Sequence, residues 1–367
     1  MTKRICYIHI GPHKTGTSSI QWFLKENRAE LLKYGYFVPE SEAKHGAHHA
    51  LGRKLCGQEL RAHEQSAVAN FTRALDETPS EAVIISSEAL GDLFIHRNYA
   101  TAFFTRIREL NLEPKLVLFP RNPPQQINSL YSSVVRRFCR SESFEAFVQE
   151  VTQRCGLRYS PLIELANAHN AELIAQPFTR KTITHGVVPE FLQLFGLDTS
   201  QFRDTDVRRN EDAGPFTVSV ARPVSRLIGR NGNQLKWLQT VQCTTKLATY
   251  LEENRLADAR YCGLTTALAR QIERELRPDS DAFAQRVWDR PWAAIFAADI
   301  GEEFTPNDFE MCRPDESTER RLQQAIREMT VIAEQVMADP ALAVKAPWND
   351  FLGRAGWTCE GQLTETR

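Results

Sequence analysis

Lys14 is the first residue whose surroundings point to chemistry. It sits in Gly11-Pro12-His13-Lys14-Thr15-Gly16-Thr17-Ser18, between an apolar run over residues 5–10 and a segment with apolar positions at Ile20, Phe23 and Leu24. The run reads as a strand buried on both faces, and the later spacing as a helix. A glycine-bearing turn from strand into helix aims backbone N–H groups and a positive helix end at one point, which favours an anion. The ordinary phosphate loop is G-x-x-x-x-G-K-[ST], with lysine directly after the second glycine. Here Gly11 and Gly16 keep that separation, but Thr17 takes the lysine position and Lys14 stands two residues before Gly16. The displaced cation argues against triphosphate hydrolysis with a Mg²⁺ clamp. A plain βα turn with an exposed lysine is the simpler alternative.

A second pair could hold another anion. Arg121 follows the apolar run 115–119, and Ser129 comes eight residues later. Strand C-termini in α/β sheets open onto the ligand crevice, so Arg121 by its guanidinium fork and Ser129 by its hydroxyl would grip a second phosphate. A surface ion pair and a solvated helix serine are the bland readings of the same two residues.

The elements that must position these groups follow from periodicity. Strands are expected at residues 5–10, 81–88, 115–119 and 173–175, separated by helical patterns at 18–33, 67–75, 100–110 and 127–135, with a further helix over 188–195 closed by Gly196. Residues 36–60, with Pro39 and a cluster of His45, His48 and His49, read as irregular before turning helical. Alternating strands and helices define an α/β fold with a parallel sheet and helices on both faces. From residue 211 no strand pattern remains, and helical spacing dominates at 235–251, 265–276 and 322–336. The expected division is an α/β core over 1–210 and a mainly helical region over 211–367, packed on it.

Bulk composition narrows the class. The 367 residues are 42% hydrophobic and 25% charged with net charge -1, which is ordinary globular composition and not that of a basic nucleic-acid binder. The eight cysteines show no C-x-x-C pairing, as reduced thiols in a cytoplasmic protein would. No apolar run approaches the roughly 20 residues of a membrane helix, and Met1 to Arg4 leaves no room for a leader. No metal-ligand spacing stands out, the three histidines included.

Lys14-Thr15-Gly16-Thr17-Ser18 after a strand, followed by Arg121-Asn122-Pro123 with Ser129-Leu130-Tyr131, resembles the two phosphosulfate-binding signatures of the sulfotransferase superfamily. Gln176-Pro177-Phe178 and Val188-Pro189-Glu190-Phe191-Leu192 extend a looser likeness to bacterial and carbohydrate-type members, over residues 4–200. The resemblance implies a P-loop-like fold and the donor 3′-phosphoadenosine 5′-phosphosulfate (PAPS). Its 5′-phosphosulfate would lie on Lys14, Thr15, Gly16, Thr17 and Ser18, its 3′-phosphate on Arg121 and Ser129. Gln125 and Gln126 depart from the pattern, standing where a basic residue is frequent, and the late R-K-G-x-x-G motif of cytosolic members is absent.

Sulfuryl transfer needs stabilisation of the leaving oxygen, for which Lys14 is suited, and a base for the acceptor proton. Glu88 is the first choice, because it ends the strand expected between the two motifs; His49, with His48, is the runner-up. The acceptor would be a small-molecule, carbohydrate or lipid hydroxyl, or an amine. Trp237, Trp288 and Trp292 are either sugar-stacking surfaces or core. The competing classes are a nucleotide kinase or NTPase with a variant loop, and a non-catalytic nucleotide-binding protein. Oligomeric state is not legible.

Overall fold

The computed structural model describes residues 3–60, 62–94, 97–153, 157–205, 213–229, 235–256 and 259–342. In chain order the elements begin β1 (Arg4–His9), α1 (Thr17–Glu26), α2 (Arg28–Lys33), β2 (Tyr36–Phe37), α3 (His49–Leu55), α4 (Ala62–Glu77), β3 (Ala82–Ser86), α5 (Ala89–Phe94), α6 (Arg97–Glu109) and β4 (Leu112–Leu118). They continue with α7 (Pro123–Arg136), α8 (Phe144–Thr152), α9 (Ser160–Ala168), β5 (Glu172–Ala175), α10 (Arg180–His185) and α11 (Val187–Gln193). The last are α12 (Pro215–Gly229), α13 (Trp237–Glu253), α14 (Thr266–Trp288), α15 (Trp292–Ile295) and α16 (Glu316–Ala338).

The chain forms two compact units that interleave in sequence. One comprises Met1–Gln126, Cys155–Glu211 and Glu273–Glu302; the other comprises Ile127–Arg154, Asp212–Ile272 and Glu303–Arg367.

The first unit holds a five-stranded sheet in the order β2-β3-β1-β4-β5, with every neighbouring pair parallel. β3 is an apolar run because it is covered on both sides: all five of its residues are buried, and successive side chains point to opposite faces. β1 lies at the centre, with Ile8 opposite Ile85 of β3 and Leu116 of β4. The chain builds one half of the sheet beyond β3 and the other beyond β4, so strand order reverses at β1. Ligands of open α/β sheets bind outside the strand C-termini at such a point. Ile20, Phe23 and Leu24 of α1 share a buried cluster with Val187, Val188, Phe191 and Leu192 of α11 and with Ile84 and Val117 of the sheet.

Two expectations need correction here. The helix expected over 18–33 is broken at Asn27, whose amide donates to the Phe23 carbonyl (3.0 Å) and the Arg203 carbonyl (2.9 Å) and accepts from the Arg203 N–H (2.9 Å). That side chain competes for the backbone and ends the helix. The region after Gly35 is not wholly irregular: Tyr36 and Phe37 form an edge strand on β3, too short to show a period.

The second unit has no strand among its described residues. α16 buries Leu322, Ala325, Met329, Ala333 and Val336 on one face and packs against α12 and α13. A buried ion pair ties α12 to the segment before α16: Arg222 Nη2 meets Asp308 Oδ2 at 2.6 Å, and Tyr261 donates to the same oxygen at 2.7 Å. No helix of the described residues is long and apolar enough to cross a membrane.

Candidate functional site

The loop between β1 and α1 is shaped by three residues with positive φ, Gly11 (φ 96°), Lys14 (φ 68°) and Gly16 (φ 77°). Gly16 is also pressed from outside, since a Cβ there would come within 2.6 Å of Val187 Cγ1 on α11. Both features favour glycine at position 16. The N–H groups of Thr15, Gly16 and Thr17 donate to no acceptor among the described residues, and Gly16 caps α1 without a side-chain bond. Three consecutive N–H groups at an uncapped ten-residue helix have the geometry that suits an anion. Thr15 is buried and spends its hydroxyl on the Pro12 carbonyl at 2.7 Å, holding the loop closed.

Arg121 stands directly after β4 and is 4% exposed. Its Nη1 donates to the carbonyl of Lys14 at 2.8 Å, and its guanidinium lies over the Phe178 ring at 5.5 Å. Gln126 reaches the His13 carbonyl at 3.4 Å and accepts from the Tyr159 hydroxyl at 2.6 Å. The residues after β4 therefore brace the backbone of the loop at two successive carbonyls. Ser129 is a buried residue of α7 and falls in the second unit.

Glu88 lies just beyond β3 and against the start of the loop: a Cβ on Gly11 would approach its Cβ to 3.0 Å. Its side chain is 14% exposed. Gln21 of α1 donates to Oε2 at 2.5 Å, and Nε2 of His49, the first residue of α3, is 3.8 Å from Oε1. The other ring nitrogen of His49 pairs with the Ser87 hydroxyl at 2.8 Å. Burial alone would push the Glu88 carboxyl up. The neighbouring His49 and His13, its own backbone N–H and the Gln21 amide together outweigh it and hold the carboxyl at about 2. Burial pulls His49 down to about 4 despite the Glu88 charge. At neutral pH the pair is a carboxylate beside a neutral imidazole.

The other histidines have different surroundings. His48 accepts from the Ser86 N–H at 3.0 Å and donates to the Pro39 carbonyl at 3.0 Å, so both nitrogens are engaged. His45 is exposed, its ring 6.1 Å from that of His49. His9 is fully buried in β1 on the Ser86 hydroxyl at 2.8 Å. His13 leaves the loop to meet Asp92 of α5 at 3.1 Å. Among the described residues no group of three or more His, Cys, Asp or Glu side chains is placed to hold a metal ion.

The structure thus brings Lys14, Thr15, Gly16, Thr17, Ser18, Arg121, Glu88 and His49 to the switch point of one sheet. It adds Gln21, Ser87 and Tyr159, which sequence reasoning passed over, and gives Gln126, noted there only as a departure from the family pattern, a bracing role. Gln21 carried a signal, since it occupies the apolar phase of α1 between Ile20 and Leu24. The braces from Gln126 and Tyr159 had none. Trp292 is buried and stacks on Phe296 at 4.2 Å in the core, so it offers no free face for a sugar, while half-buried Trp288 donates to the Ala175 carbonyl at 2.8 Å. The side chain of Trp237 lies outside the described residues. No family model matches the chain, nor does any curated protein or solved structure.

Proposed function

We propose that the chain is a sulfotransferase that moves a sulfuryl group from PAPS to a hydroxyl or amine. The observation that carries this reading is the pairing, at one switch point, of an anion-binding loop bearing a displaced lysine with an ionised, enclosed carboxylate. The N–H groups of Thr15, Gly16 and Thr17, with Ser18, would hold the 5′-phosphosulfate. Lys14 would stand by the bridging oxygen, where a cation counts more in the transition state than in the ground state. Arg121 is the grip assigned to the 3′-phosphate, shared with the Lys14 carbonyl that it already binds. In the transfer, the acceptor oxygen bonds to sulfur as the bridging S–O bond breaks. The electron pair stays on the phosphate oxygen, and Glu88 takes the acceptor proton. The product is adenosine 3′,5′-bisphosphate. The sulfotransferase family, the P-loop-like character of the loop and a cytoplasmic location belong to the same proposal.

Thermal unfolding with three ligands tests it. Adenosine 3′,5′-bisphosphate at about one hundred times its Kd is expected to stabilise the protein by about 2.7 kcal/mol, well above inorganic sulfate. Stabilisation by ATP with Mg²⁺ and none by the bisphosphate would overturn the reading in favour of a kinase or NTPase. No response to any nucleotide would remove the nucleotide site altogether.

A further inference from the structure

Gln21 is a polar side chain in a place where the helix period calls for an apolar one. It is 0% exposed on α1, four residues beyond Thr17 of the loop. Its Nε2 is 2.5 Å from Glu88 Oε2, and its Oε1 has no hydrogen-bond partner among the described residues. A buried glutamine with half its amide unpaired is costly, and a methionine or leucine would fill the same volume without that cost. The orientation is also determined. Turning the amide over would set two oxygens 2.5 Å apart, which an ionised carboxylate does not allow.

The backbone of Gln21 is held from the other side, where Gly46 comes so close that a Cβ would meet the Gln21 carbonyl. The donor nitrogen is therefore carried on a fixed frame. The titratable groups facing Glu88 are His49 from α3, His13 from the loop and His9 from β1. Gln21 is the uncharged side-chain donor to Glu88, beside its own backbone N–H, so its pull on the carboxylate does not vary with pH.

We propose that Gln21 is a positioning residue for Glu88: it occupies Oε2 and leaves Oε1, on the His49 side, as the oxygen that receives a proton. The inference rests on the reading of Glu88 as the base. It also gives α1 a second task, since the helix whose N-terminus faces the anion orients the base one turn further along.

Carboxyl ¹³C titration tests the contact without needing an acceptor. In Gln21→Glu, two carboxyl groups would meet at hydrogen-bond distance and share one proton. The upper of their two steps should lie at least one pH unit above that of the introduced carboxyl in the double variant Gln21→Glu/Glu88→Gln. Identical titration in the two backgrounds would overturn the proposal. Should Gln21→Glu fail to fold, Gln21→Met removes the donor at similar volume. Glu88 should then bind its proton at least tenfold more tightly, with bisphosphate Kd changed less than twofold. An unchanged Glu88 titration there would also overturn it. If the wild-type protein does not bind the bisphosphate, the sulfuryl-transfer reading falls while the titration still decides whether Gln21 controls Glu88.

Discussion

Glu88 owes its ionised state to its neighbours rather than to water. Burial opposes the charge; His49 and His13, when protonated, and two donated hydrogen bonds lower the carboxyl against it. A carboxylate held that low is a weak base at equilibrium, so its part in a transfer is to accept a proton late, as the acceptor oxygen becomes acidic on bonding to sulfur. In the proposed transfer Lys14 would act on the other bond. Replacing it by Ala should lower transfer from labelled PAPS to a panel of sugar and lipid alcohols by about 10²–10³-fold, the scale of losing one preorganised charge donor. The far-ultraviolet circular dichroism should stay that of the wild type. Glu88→Gln should lower the same rate by about 10²–10⁴-fold with bisphosphate affinity kept. Near-normal turnover in Lys14→Ala sinks the mechanism. A loss confined to His49→Ala hands the role of base to the imidazole.

The loop and α1 show what can and cannot be read from sequence at the scale of elements. The central strands were legible because burial on both faces leaves long apolar runs, as at 82–86 and 115–118. The strand at Tyr36–Phe37 was not, because two residues carry no period. α12 was hidden by Pro223 in its interior and by Arg222, a charged residue on a buried face whose partner Asp308 is remote in sequence. The anion loop was legible in composition, and its bracing was not: Arg121 and Gln126 reach the Lys14 and His13 carbonyls across more than one hundred positions. Gly16 joins both kinds of information, since its positive φ suits any glycine turn but its contact with Val187 is tertiary. Gly16→Ala should cost about 1–2 kcal/mol for the left-handed backbone and a further ~1–3 kcal/mol for the clash. Urea unfolding of Gly16→Ala and Gly16→Ala/Val187→Ala separates the two. The double variant should recover the clash relative to Val187→Ala alone and keep the backbone cost. A neutral single variant would mean that α11 does not press on the loop.

At the scale of the whole molecule, the sheet hides three imidazoles that the folded state keeps neutral. His9, His48 and His49 are 0%, 1% and 7% exposed, and burial lowers each to about 4. The unfolded chain restores the ordinary value near 6.5. Above about pH 7 neither state protonates them, so they leave stability unchanged. Between about 6.5 and 4 the unfolded chain binds up to three more protons than the folded one, and stability falls as pH falls. Glu88 works in the same direction further down: its folded value of about 2 lies below that of an ordinary carboxyl, so its contribution is present above about 4.5 and is lost as pH drops towards 2. The slope from the histidines reaches up to ~4 kcal/mol per pH unit, from three protons at about 1.4 kcal/mol each. Urea midpoints should therefore agree at pH 7.5 and 8.5 and drop steeply from pH 6.5 to 5. His48→Gln, which removes one of the three groups, should shallow that slope by about one proton if it folds. A midpoint that stays level down to pH 5 would show the imidazoles to be open to protonation. The enclosed environment assigned to the Glu88–His49 pair would then fail with them.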